Sequence, residues 1–364
     1  MRIAFYGSSL LSSYWNGAAT YYRGLLASLA ALGHQITFYE PDAFDRQANR
    51  DIEEPDWAEV VVYPATHDAL RSVLAEAARA DVVVKASGVG VFDNELLAGT
   101  LALARPDAVR VFWDVDAPAT LAMLRADPTH PLRRVLGQLD FVMTYGGGQP
   151  VVDAYISMGA IRCVPVYNAL DPESHYPVPP EARFVADLSF LGNRLPDREA
   201  RVEAFFLSPA ATLPGRSFLL GGAGWHDKPM PPNVRVIGHV PTGDHNAFNC
   251  SALAVLNVAR DSMAETGFSP ATRVFEAAGA GACIITDAWQ GIELFLHPGD
   301  EILVARDGAD VAAHLEALTP ERAQAIGARA RARILAEHTY EKRALLVDRL
   351  LRNALARKRE SVTA

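Results

Sequence analysis

The feature that most constrains this chain is an alternation beginning at its second residue. Short apolar runs, rich in β-branched side chains, are each followed by a segment of helical period. In the first half the runs are Arg2–Tyr6, Gln35–Tyr39, Glu59–Tyr63, Asp81–Lys85, Val109–Trp113, Asp140–Thr144 and Arg162–Val166, with helix-period stretches such as Ala18–Leu32 and Asp93–Ala104 between them. Unbroken apolar strands interleaved with helices predict a parallel sheet, because parallel strands need a crossover and the crossover helices cover both faces. The pattern breaks once. Residues 168–187, NALDPESHYPVPPEARFVAD, hold four prolines and no sustained period, and read as a linker.

Beyond it the alternation resumes. Strands are expected at Leu188–Leu191, Ser217–Leu220, Val234–Ile237, Leu253–Asn257, Cys283–Thr286 and Glu301–Val304. Helices are expected at Arg198–Phe206, Thr242–Cys250, Pro270–Ala280, Gly291–Phe295 and Ala309–Leu315. The fold class is therefore α/β: two Rossmann-like, doubly wound domains, residues 1–167 and 188–338, facing a cleft. Ligands of such sheets bind outside the carboxyl ends of the strands. Two long helices follow, Pro320–Glu337 and Tyr340–Lys358, with no strand after them. The terminal segment 339–364 reads as a helix that crosses back to the first domain on a face of Leu345, Leu346, Leu350, Leu351 and Leu355, or one that caps its own domain.

Composition removes several classes of function. Against 43 acidic residues stand 34 basic ones, a net charge of −9, so nucleic acid is not the expected partner. Cys163, Cys250 and Cys283 have no CxxC spacing, and the ten histidines show no HExxH or HxxxH pattern, so no metal site is expected. No GxGxxG follows the first strand and no GxSxG elbow appears. The apolar runs fall short of the ~20 residues that span a bilayer, so no transmembrane segment is expected. The opening lacks a basic stretch leading into a long apolar one, and a cytoplasmic location is expected.

The densest candidate site is Gly267–Asp287, GFSPATRVFEAAGAGACIITD. Ser269 suits a helix N-cap and Pro270 the first helical position, whose missing N–H costs nothing there. A helix opening at that point would offer free N–H groups and a positive dipole end to an anion, with Thr272 and Arg273 in its first turn. Glu276 lies one turn on, either at the site or at the solvent edge of an ordinary core helix. Gly192-Asn193-Arg194 follows a strand and Arg198 opens a helix, where a guanidinium matches a phosphate bidentately or pairs with Glu199 or Glu203. In the first half, Trp113-Asp-Val-Asp-Ala-Pro118 closes a strand. Asp114 and Asp116 stand there as candidate general bases, Asp116 preferred, or as turn caps. The loop after the first strand carries Ser8, Ser9, Tyr14, Trp15 and Asn16, residue types suited to a carbohydrate.

The string Ser-Pro…Arg-x-x-Glu-Ala-x-Gly-x-Gly followed by a strand and Thr-Asp resembles the nucleotide-sugar site of GT-B glycosyltransferases of group 1, particularly the CgeB-like set. Phe190-Leu-Gly-Asn-Arg194 with Arg198, Leu219-Leu-Gly-Gly222 and the stretch VRVIGHVP at 234–241 agree in order. The resemblance implies a glycosyltransferase that moves a sugar from a nucleoside-diphosphate sugar to an acceptor hydroxyl, with no cofactor and no metal. Glu276 would hold the ribose, and Ser269, Thr272 and Arg273 with Gly192, Arg194 and Arg198 the diphosphate. Gly222 would line the donor pocket, and His239 and Val240 would lie beside the base. Ser8, Ser9 and Asn16 would face the acceptor, which is an unknown glycan, lipid, protein or small molecule. Many group members carry a second glutamate eight residues before the ribose-binding one; here that position is Phe268, with Glu265 three residues earlier. A nucleotide-sugar epimerase or a non-catalytic sugar-nucleotide binder on the same scaffold are the alternatives.

Overall fold

The computed structural model describes residues 1–14 and 16–363, so Trp15 lies outside the described residues. Contacts divide the chain into two units, Met1–Tyr167 with Tyr340–Ala364, and Asn168–Thr339. Among the described residues each unit carries one sheet whose pairings are all parallel.

The first unit's strands are β1 (Arg2–Tyr6), β2 (Gln35–Asp42), β3 (Ala58–Pro64), β4 (Val82–Ala86), β5 (Val109–Asp114), β6 (Phe141–Thr144) and β7 (Cys163–Pro165), in the spatial order β3-β2-β1-β4-β5-β6-β7. Every residue of β4 and of β6 is buried, as a parallel strand covered on both faces requires. The rings of Phe38, Tyr22 and Trp113 pack on Phe5 at centroid distances of 5.2, 5.2 and 5.9 Å. The terminal helix, Tyr340–Thr363, packs within this unit. The Tyr340 ring fills the space beside Gly24, where a Cβ would stand 2.2 Å from it, and Asp348 bonds His34 at 2.7 Å.

The second unit's strands are β8 (Ala186–Leu191), β9 (Phe218–Gly221), β10 (Val234–Gly238), β11 (Ala252–Asn257), β12 (Ile284–Asp287) and β13 (Leu303–Ala305), in the order β10-β9-β8-β11-β12-β13. Both sheets therefore reverse direction beside their first strand, between β1 and β4 and between β8 and β11. That is where an open α/β sheet forms a ligand crevice at its carboxyl edge.

Three local expectations are corrected. Residues 168–185 are not a free linker, because their backbone is tied to the second unit. The amides of Tyr176, Val178 and Glu181 donate to Asn246 Oδ1, Cys250 Sγ and Ser251 Oγ, and Asn168, Leu170 and His175 are buried. The helix expected at Arg198–Phe206 starts at Glu199 and passes through a π-helical turn, Glu203–Leu207, before running on to Thr212. Pro209, which has no N–H to give the preceding turn, sits just past that widening. A short helix, Asp261–Thr266, precedes the 267–287 segment and was not expected. No described helix is long and apolar enough to cross a membrane.

Candidate active site

The carboxyl edge of β8 and β11 is built by residues from three segments. β8 ends at Leu191, and the chain turns through Gly192 because nothing larger fits there. A Cβ on Gly192 would stand 2.9 Å from the Phe190 ring and 3.1 Å from Arg198 Nη2. Arg198 occupies the N-cap position of the following helix, donates from Nη2 to Asn193 O at 2.7 Å and lies 5.8 Å from the Phe190 ring centroid. Arg273 reaches the same ring from the helix that opens at Thr272, 5.2 Å from its centroid. Its guanidinium donates to Leu191 O and, at 3.5 Å, to Asn257 Oδ1, so it spans the ends of β8 and β11.

Two guanidinium groups thus converge at the sheet reversal with little to neutralise them. Burial and, after it, the positive charge of Arg198 lower the pKa of Arg273 to about 10, against weaker opposition from Glu276 and Asp287. Burial also lowers that of Arg198, against the opposing charge of Asp197, and its Nε is buried with no hydrogen-bond partner among the described residues. A pair of desolvated cations with a donor left over is the electrostatic complement of a multiply charged anion.

The helix expected to begin at Pro270 begins at Thr272, with Ala271 as its N-cap. Ser269 is not the cap: its buried hydroxyl donates back to Gly267 O at 3.0 Å. The two residues before it are pinned, since Phe268 takes a left-handed φ of 49° and its amide donates to Gln290 O at 2.6 Å. Thr272 is half-buried in the first turn, and Glu276 projects from the second. No hydrogen bond engages the half-buried Glu276 carboxylate among the described residues.

Beside Glu276 stand two histidines that the sequence did not single out. Ligating atoms of His175, His245 and Glu276 all lie within 4.8 Å of one another. His245 Nε2 lies 3.3 Å from Val240 O. A carbonyl only accepts, so this nitrogen carries the proton and Nδ1 keeps its lone pair. Burial lowers the pKa of His245, the Glu276 carboxylate raises it, and His175 and Arg273 lower it. These three residues are 31 to 101 positions apart in the chain, so no linear spacing could have announced them. Asn257, at a strand's carboxyl end, carried the one usable signal that was missed.

Other expected donor residues are placed less directly. Gly222 has φ 122°, and a Cβ there would lie 2.2 Å from Gly192 O, so the turns after β8 and β9 touch through glycine. Arg194 is committed elsewhere, pairing with Glu199 at 2.7 Å and Asp227 at 3.0 Å. Its expected role toward the donor is therefore corrected to one of holding turns together. His239 is exposed; it is the carbonyl of buried Val240 that meets His245.

In the first unit the expected acceptor residues are turned inward. Ser8 Oγ donates to Asn16 Oδ1 at 2.9 Å, and Asn16 Nδ2 donates to the carbonyls of Ser9 and Ser12. Ser9 Oγ donates to Glu40 Oε1 at 2.9 Å. All three are buried, so they fold the loop rather than face a ligand. Asp114, 0% exposed, accepts from the Asp116 amide, the Thr120 hydroxyl and the Tyr155 hydroxyl at 3.1, 2.9 and 2.5 Å. Burial raises its pKa against the pull of those donors. A carboxylate enclosed in this way organises its own turn and is out of reach of a substrate hydroxyl, which corrects its candidacy as a base. Asp116 is half-buried at the start of the Ala117–Ala126 helix.

Residues 198–349 match a family described as glycosyl transferase-like. No curated protein sequence matches the chain. Sucrose-phosphate synthase from Thermosynechococcus elongatus superposes with a TM-score of 0.71 at 14% identity, covering 98% of this chain and 99% of that one. HepE of Anabaena, in complex with UDP and glucose, gives 0.67 at 13% identity over 97% and 100%. An alpha-glucosyltransferase, in complex with UDP and a 13-mer DNA containing an HMU base, gives 0.70 at 10% identity over 96% and 99%. At such identities the likeness carries the architecture, two parallel sheets in the GT-B manner. The family match takes in Arg198, Arg273 and Glu276, and the architecture around them is that of the GT-B glycosyltransferase structures.

Proposed function

We propose that the protein transfers a glycosyl group from a UDP-sugar to an acceptor hydroxyl, without a metal ion. The observation that carries the reading is the convergence of Arg198 and Arg273 on Phe190 at the β8/β11 reversal, one helical turn from a Glu276 carboxylate that no hydrogen bond engages among the described residues. The two guanidiniums hold the diphosphate, and Glu276 accepts hydrogen bonds from the ribose diol. As the glycosidic bond breaks, negative charge grows on the leaving phosphate. Cations already fixed by Leu191, Asn193 and Asn257 stabilise that charge without reorganising. Uridine as the base is favoured by the UDP held in two of the similar structures. Phe268, in place of a second carboxylate, favours the CgeB-like branch of the class. On the acceptor side Asp116 is the general base, since Asp114 is enclosed.

Calorimetric titration with UDP-glucose, UDP-N-acetylglucosamine and GDP-mannose tests the donor assignment. Glu276→Ala should weaken binding of the preferred UDP-sugar about tenfold, ~1.4 kcal/mol, the scale of one hydrogen bond to a charged group. An unchanged Kd in that variant, or no nucleotide-sugar binding by the wild type, overturns it. Once an acceptor is found, Asp116→Asn should lower kcat and spare donor affinity, and chelator should leave turnover unchanged.

A further inference from the structure

We propose that His175, His245 and Glu276 form a binding site for a divalent transition-metal ion, Zn²⁺ by the chemistry of its donors, and that the ion competes with nucleotide for Glu276. The competition rests on the donor assignment above; the metal site does not. Two imidazoles and one carboxylate are a ligand set that zinc accepts, three protein groups leaving a fourth position open. Ligands on one tetrahedral Zn²⁺ stand about 3.4 Å apart, from bond lengths near 2.1 Å. Three ligating atoms already within 4.8 Å of one another reach that spacing through side-chain rotation.

The surroundings fit a ligand role. His245 donates from Nε2 to Val240 O, an outer hydrogen bond that sets the tautomer and orients the ring of a metal-bound histidine. Val240 is itself buried beside Ala247 and Phe248, so that carbonyl is fixed. His175 is buried, and its backbone amide is anchored to Asp171 O at 3.0 Å. Among the described residues the Glu276 carboxylate has no hydrogen bond to surrender. Arg273, three residues before Glu276, opposes a cation here, and its guanidinium is directed to Leu191 and Asn257 instead. The three ligands come from the stretch before β8, from the helix after β10 and from the helix before β12. The site therefore exists only in the folded second unit.

The test titrates the full-length, chelator-treated protein with Zn²⁺, and separately with Co²⁺ read by its visible bands. One equivalent should bind, with tetrahedral Co²⁺ absorption. His245→Ala and Glu276→Gln should each weaken binding at least tenfold, while His226→Ala, at an exposed site, should not. Because His175 is buried, His175→Gln is compared only after its metal-free unfolding temperature is measured; a folded variant that binds as wild type overturns the proposal. Absence of stoichiometric binding, or equal losses in His226→Ala, also overturns it. UDP titrated into zinc-loaded protein should bind at least tenfold more weakly than into metal-free protein. Unchanged UDP affinity with the metal in place overturns the competition. Failure of UDP to bind metal-free protein instead overturns the donor assignment and leaves the metal titration to stand alone.

Discussion

Each unit lays an arginine across the reversal of its sheet, and the two arginines live in opposite electrostatic company. In the first unit Arg46 donates to Ser8 O at 3.1 Å and Val89 O at 3.3 Å, joining the loops that follow β1 and β4. Glu40 acts on it as a countercharge, and Glu40 is saturated in turn by Ser9, Gln47 and the amides of Leu10 and Leu11. In the second unit Arg273 spans β8 and β11, and the strongest charge acting on it is another guanidinium, that of Arg198. The same topology thus sets its arginine beside a carboxylate in one unit and beside a second guanidinium in the other. A crevice at a switch point becomes a site only where the chain declines to neutralise it.

The largest effects should separate these arginines. Arg273→Ala is expected to raise the Kd for UDP about 100-fold, ~2.7 kcal/mol, within the range for hydrogen bonds to a charged group. Arg46→Ala should leave UDP affinity unchanged and destabilise the first unit by about 2 kcal/mol, since two buried carbonyls lose their donor. Calorimetry and thermal unfolding of both variants decide this, and equal losses of UDP affinity would erase the contrast. Glycines at the two edges offer a second, smaller separation. Gly222→Ala meets Gly192 O at 2.2 Å at a φ of 122°, whereas Gly88, after β4, has φ 65° and open space around it. The first should cost about 2 kcal/mol and disturb UDP binding; the second about 1 kcal/mol, with no effect on UDP. Denaturant unfolding followed by UDP titration reads both.

The strands were legible because a parallel strand buried on both faces must be apolar along its length. Hence all thirteen expected runs overlap observed strands. Arg273 and Glu276 were legible as a spaced string on one helix, and Arg198 as a basic residue opening the helix that follows another strand. The loop of Ser8, Ser9 and Asn16 was misread, since polar residues after a strand look alike whether they bond a ligand or one another. Here the Ser8 hydroxyl and Asn16 bond each other, the Ser9 hydroxyl goes to Glu40, 31 residues downstream, and Arg46 takes the Ser8 carbonyl. Asp114 was misread for the same reason, its partner Tyr155 being 41 residues away. The histidines beside Glu276 were invisible because their proximity is made by tertiary packing, with no period or spacing behind it.

The smallest effect concerns how the first unit keeps its loop shut. Asp51 accepts from Ser13 N and Oγ at 3.0 and 2.7 Å, and both of its oxygens take Arg23 nitrogens at 3.0 and 2.7 Å. Burial alone would raise its pKa, but these donors outweigh burial and bring it down to about 2, from an ordinary 3.8. A folded-state pKa below the unfolded one stabilises fully above the unfolded value and is lost as pH falls through the folded one. The clamp should therefore hold at pH 5 and fade between about pH 4 and 2. Because Asp51 is partly exposed, its contribution is screened, and Asp51→Asn should cost about 0.5–1 kcal/mol at neutral pH. Unfolding temperatures of wild type and Asp51→Asn, measured from pH 6 to pH 2, should differ at the upper end and converge at the lower. A constant gap down to pH 2 would mean that packing, rather than the ion pair, closes the loop, and the first unit's self-neutralised edge would have to be explained by Glu40 and Arg46 alone.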